Sequence, residues 1–147
     1  MAIKKEIRLR VWNKFDRKCA YCGCDLEYKK MQVDHVKPLY KNDNVETLEV
    51  WGVERGKDEE SNYYPACARC NRWKSTYSVE MFRKQIQLQT ERLLRDSNQY
   101  RMALDYNLIE LTDKPVEFWF ERWQKLNCTQ LKNKCNHFTG ESNERMD

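Results

Sequence analysis

No run in this 147-residue chain approaches the roughly 18 consecutive apolar residues that a membrane helix requires. The opening residues, Met1-Ala2-Ile3-Lys4-Lys5-Glu6-Ile7-Arg8, lack the apolar stretch of a secretory signal. A membrane partner is therefore not expected, and a cytoplasmic setting is, where thiols stay reduced. Histidine is scarce, with two residues in the chain. No internal repeat and no linker divides the sequence, so a single domain over 1–126 is expected, followed by a polar tail over 127–147. The chain is not disordered in character either: 34% of its residues are charged, but 12% are aromatic.

The net charge is +4 and is unevenly spread. Residues 41–60 hold seven acidic and three basic side chains, which leaves 24 basic and 16 acidic groups elsewhere. A basic body with an acidic insertion suits a polyanionic partner better than an acidic one.

Seven cysteines are present. In a reduced compartment they point to metal before disulfides. Four of them form two CxxC pairs, Cys19-Ala20-Tyr21-Cys22 and Cys67-Ala68-Arg69-Cys70. A CxxC turn offers two thiolates to one ion, so two such turns complete the four-ligand shell of a structural zinc. No thioredoxin-like βαβ pattern surrounds either pair, which argues against redox catalysis. The pairs are separated by 44 residues, 23–66, more than a compact ribbon contains. The intervening unit is then what zinc pins, and it contains Asp34, His35 and Asn62. Cys24, Cys128 and Cys135 are expected to be unliganded.

Hydrophobic spacing predicts a helix over 4–16 from Ile7, Val11 and Phe15, then a tight turn at Cys19–Cys24 containing Gly23. A strand is expected within Leu26–His35, with Met31 and Val33 on one face, ending before Pro38. Val45–Val53 suggests a strand or hairpin around Gly52, and Asn62–Pro65 a second short strand. From Ala68 the chain should turn helical, with Asn71 and Lys74 about one turn apart. Ser78 caps a long helix that can break near Asp96-Ser97-Asn98. Alternation at Val116, Phe118 and Phe120 suggests a strand; a helix starting at Pro115 is the alternative. The tail is polar and aperiodic from 133 on.

The set Cys19-x-x-Cys22-Gly23, Asp34-His35-x-x-Pro38, Asn62, Cys67-x-x-Cys70-Asn71-x-x-Lys74 resembles the HNH endonuclease family in its zinc-stapled, phage-type branch. The resemblance covers roughly residues 8–76, with weaker likeness from Tyr77 to Trp123. It implies an α+β protein: a ββα-metal core at 8–76, stapled by a four-cysteine zinc site, between an N-terminal helix and a helical extension over 77–126. It implies a metal-dependent endonuclease acting on DNA in the cytoplasm of a bacterial or phage-infected host cell. In that family's terms His35 is the general base, and Asn62 orients it through the loop or the ring. Asp34 and Asn71 ligate one divalent cation, while Cys19, Cys22, Cys67 and Cys70 hold structural zinc. Asn71 stands where the family commonly has histidine. Its amide oxygen is the harder ligand, which favours Mg²⁺ or Mn²⁺. Arg69, Arg72 and Lys74 are the candidates for gripping the DNA backbone. The competing functional class is a non-catalytic zinc-ribbon module or regulator that binds nucleic acid or protein on the same scaffold. Asn44 is a rival for the role of Asn62, and helix capping is the rival role for Asn71.

Overall fold

The computed structural model describes residues 3–137. Helix α1, Lys5–Asn13, buries Val11 and packs its apolar side into the core. Side chains on and just after it tie it to backbone carbonyls across the chain: Trp12 Nε1 donates to Leu26 O at 2.7 Å, Lys14 Nζ to Tyr63 O at 3.1 Å, and Arg8 to Met31 O. After α1 the chain makes the Cys19–Cys24 knuckle, which closes on itself through Cys19 N to Cys24 O at 2.8 Å and Gly23 N to Cys19 O at 2.9 Å. Gly23 has φ of +74°, a left-handed conformation that favours glycine, and it lies against the Trp119 side chain.

Strand β1, Gln32–His35, pairs antiparallel with β2, Tyr63–Ala66, in a two-stranded sheet with Asp34 opposite Tyr64 and His35 opposite Tyr63. Between the strands the expected hairpin at Val45–Val53 is instead helix α2, Val45–Trp51. Asn44 caps it, accepting from Thr47 N at 2.7 Å, and Gly52 ends it in the left-handed region at φ 63°. These two local signals outweigh the β-branched residues at Val45 and Val50. Helix α3, Ala68–Lys74, begins just after β2 and packs on β1, completing a ββα unit. Strand β1 is shorter than the sequence pattern suggests, and the side chain it buries is Asp34 rather than Val33.

Beyond the unit lie α4 (Val79–Gln87), α5 (Gln89–Asp96) and α6 (Asn98–Asp105). The expected long helix is therefore broken at Leu88 and at Ser97, whose side chain accepts from Tyr100 N and starts α6 afresh. The expected strand at Val116–Phe120 is not a strand: Phe118 precedes α7, Trp119–His137. The alternation survives because the chain enters α7 against the knuckle, where Trp119 N donates to Tyr21 O and Phe120 N to Ala20 O. Phe118 stacks on Phe82 at 5.5 Å and meets Tyr21 edge-on at 5.3 Å, so the extension seals the core from behind the knuckle. Helix α7 also runs through the start of the supposed aperiodic tail, to His137; residues 138–147, and the side chains of Cys135 and His137, lie outside the described residues.

Candidate active site and thiol cluster

Two polar clusters flank the small sheet. The first consists of thiols. The sulfurs of Cys19, Cys22, Cys24 and Cys67 all lie within 4.8 Å of one another. Cys22 Sγ is 3.9 Å from Cys67 Sγ, and Cys22 and Cys70 line the same small cavity. Zn–S bonds of about 2.3 Å set a tetrahedral S–S edge of about 3.8 Å, so the Cys22–Cys67 spacing fits such an ion. Backbone N–H groups already point at sulfur: Cys67 N at Cys19 Sγ and Cys70 N at Cys67 Sγ, both at 3.4 Å. The thiols polarise one another, with hydrogen bonds from Cys19 and Cys70 pushing Cys22 far below the usual thiol range. Cys22 then serves as the acceptor that keeps the Cys19 thiol protonated, at about 11. The cluster is compatible with a structural zinc. Cys24, set aside on spacing alone, belongs to this group in space.

The second cluster lines a cavity of about 400 Å³ whose walls include Asp34, His35, Pro38, Tyr40 and Asn71. Asp34 is buried, with Tyr21 OH donating to its Oδ2 and Lys74 Nζ lying 3.1 Å from Oδ2 and 3.3 Å from Oδ1. Burial pushes the Asp34 carboxyl up while Lys74 and the Tyr21 hydroxyl pull it back. Burial also lowers Lys74, with Asp34 opposing. Lys74 Nζ donates further to His35 O at 2.9 Å, so the ammonium clips the end of β1 to α3. The expectation that Lys74 grips DNA is corrected here: its side chain is fully buried and its charge is spent on Asp34. Arg69 is exposed and sits near the Cys22 sulfur, which raises its already high pKa. Arg72 remains exposed on α3.

His35 Nε2 lies 2.8 Å from Asp58 Oδ1, and Tyr63 OH donates to the same oxygen at 2.6 Å. Asp58 is held below the ordinary carboxylate range first by Tyr63 and then by His35. Sequence reasoning missed Asp58, which sits in the acidic insertion among six other carboxylates with no spacing to distinguish it. Asn62 does not touch the ring. Its side chain accepts from Lys37 N at 2.8 Å and donates to Lys37 O and Lys57 O, both at 2.9 Å, lacing the loop after His35 to the loop carrying Asp58. Gly56 permits that closeness, because a Cβ there would lie 2.0 Å from Lys37 O. Asn44 is occupied at the α2 cap. Asn71 sits within α3 rather than at its cap, which Cys67 provides, and its Nδ2 donates to Gln32 Oε1 at 2.6 Å.

Residues 19–76 match the family model described as HNH endonuclease. The match is confined to this segment, which holds both CxxC pairs, Asp34, His35, Asn62 and Asn71. The match supports a nuclease-type function for residues 19–76. A solved structure, the crystal structure of the Type II-C Cas9 enzyme from Actinomyces naeslundii, is similar over 58% of this chain and 8% of that one, at 23% identity and a TM-score of 0.44. No curated protein matches the chain. Among the described residues, no helix is long and apolar enough to cross a membrane.

Proposed function

We propose that this chain is a metal-dependent endonuclease that hydrolyses DNA phosphodiester bonds at the cavity between β1 and α3. The observation that carries the reading is the meeting of Asp34, His35 and Asn71 on one cavity wall inside an HNH-matched segment. With Nε2–H given to Asp58, the His35 lone pair lies on Nδ1, the nitrogen left to take a proton from water. His35 is the general base in this reading, Asp58 its positioning residue, and Asn62 the brace of the loops that carry both.

The donor set fits a hard divalent cation, Mg²⁺ or Mn²⁺. Asn71, with its nitrogen engaged by Gln32, has its amide oxygen left to bind. Asp34 Oδ1 accepts from Lys74 alone among the described contacts, so it keeps a free lone pair. When bound, such a cation neutralises charge on the phosphate and on the departing alkoxide. Lys74 pulls the Asp34 carboxyl down against the burial that raises it, and fixes it in place. Cys19, Cys22, Cys67 and Cys70 hold structural zinc at the other side of the sheet. Arg72, with Arg69 beside it, is the exposed basic edge of α3 for a phosphate backbone.

Nicking of supercoiled plasmid DNA, with and without Mg²⁺, by wild type and His35→Ala tests the reading. Cleavage by wild type that requires Mg²⁺ and is lost in the variant is the expected result. Equal behaviour of the two proteins would remove the assignment of His35, and no cleavage by wild type with any divalent ion would remove the nuclease itself.

A further inference from the structure

The paired motif accounts for four thiols, yet five converge on the knuckle. We propose that Cys24 is a zinc ligand of this chain, sharing one coordination position with Cys70, so that Cys19, Cys22 and Cys67 bind the ion together with either thiol. This rests on the zinc reading above.

The geometry supports Cys24 as directly as it supports Cys70. Cys24 is a member of the quartet whose sulfurs all fall within 4.8 Å of one another. The tetrahedral edge is about 3.8 Å, so even the widest pair in that quartet needs to close by about 1 Å or less. Within the quartet Cys22 Sγ lies 3.9 Å from Cys67 Sγ, close to the tetrahedral edge. Cys24 is not carried there by a loose loop. Its carbonyl takes the Cys19 N–H at 2.8 Å, and the neighbouring Gly23 lies against Trp119.

The two candidates approach differently. Cys70 is buried and rides on α3, whereas Cys24 is exposed and belongs to the knuckle. Zinc has no d-electron preference for one tetrahedral arrangement over another, and it takes four thiolates. Either thiol therefore completes the shell, and the one left over stays within reach of the ion. In one arrangement zinc fastens the knuckle to α3 through both Cys67 and Cys70. In the other it fastens the knuckle to the start of α3 through Cys67 alone.

The test uses the full chain loaded with zinc, comparing wild type, Cys24→Ser, Cys70→Ser, the Cys24→Ser/Cys70→Ser double variant and Cys67→Ser. Zinc per chain is measured by metal analysis, the rate of transfer to a chromophoric chelator is followed, and the thiolate number is read from the Co²⁺-substituted spectrum. Both single variants at positions 24 and 70 are expected to keep one zinc and a four-thiolate spectrum while surrendering the metal faster than wild type. The double variant is expected to lose zinc as Cys67→Ser does. Cys70→Ser as poor in zinc as Cys67→Ser would overturn the proposal. So would a Cys24→Ser protein that releases zinc at the wild-type rate. Absence of zinc from wild type itself would overturn the zinc reading and this assignment together, a failure distinct from the other two.

Discussion

The thiol cluster and the Asp34 cavity lie on the same ββα unit, and they differ in how their polar groups are completed. In the cavity every buried group has a protein partner: Asp34 has Lys74 and Tyr21, and the His35 carbonyl has Lys74. In the thiol cluster the sulfurs have mainly one another and a few N–H groups. One cluster is closed by side chains that folding supplies, and the other is a set of thiols compatible with an ion from outside. Tyr21 joins them, because it stands between two thiols in sequence and places its hydroxyl on Asp34. Burial and the nearby carboxylate raise its pKa far above the ordinary phenol value, so it stays a donor.

The largest effect that sharpens this contrast is expected from Cys67→Ser. Structural zinc in small domains contributes about 10–16 kcal/mol to the folded state, so loss of this ligand should remove zinc and fold together. Zinc content and far-ultraviolet circular dichroism on one sample would check it; a folded, zinc-replete variant would break the comparison. His35→Ala is its opposite. Cleavage should fall by about 10²–10⁴-fold, the usual share of a general base, with melting and zinc content unchanged.

Lys74→Met comes next. It leaves a buried carboxylate unpaired, at an expected cost of about 3–5 kcal/mol in denaturant unfolding. Adding Asp34→Asn should recover part of that loss, and a Lys74→Met protein of wild-type stability would show that the pair holds nothing. Tyr21→Phe removes one hydrogen bond to a charged group, worth about 1.5–3 kcal/mol. The smallest effect is one of pH. The Asp58 carboxyl is depressed in the folded chain, so its contribution to pinning the 53–59 loop is complete above the ordinary carboxylate range. It is lost as pH falls through the depressed value. Amide exchange in that loop should speed up over that acid range and not near neutrality.

Legibility in the sequence follows the range of the interaction. Spacing alone places the knuckle, β2, α3 and the Ser78 cap, because CxxC turns and caps are local chemistry. Val45–Val53 misleads when propensity is weighed above the Asn44 and Gly52 punctuation that bounds the helix at both ends. Val116–Phe120 alternates for a reason that is not a strand: those residues insert into the aromatic core around Tyr21 and Phe82. In the site, Asp34 and His35 can be chosen as an adjacent carboxylate and imidazole between the two CxxC pairs, and Asn71 as the polar residue directly after Cys70, in the pattern of the HNH resemblance. Lys74 reads as a surface residue because a lysine on a short helix is usually solvated. Its burial depends on Asp34, 40 residues away in sequence. Asp58 and Cys24 are hidden in the same way, since what distinguishes each is a neighbour in space.

The division between an ion that shapes the unit and a cation that does its chemistry is tested most directly by counting Mn²⁺ bound to the zinc-loaded chain by electron paramagnetic resonance, in wild type and in Asp34→Asn. One Mn²⁺ per wild-type chain, lost in the variant while zinc stays at one per chain, is the expected result. Mn²⁺ binding that is absent from wild type, or unchanged by Asp34→Asn, would contradict the account.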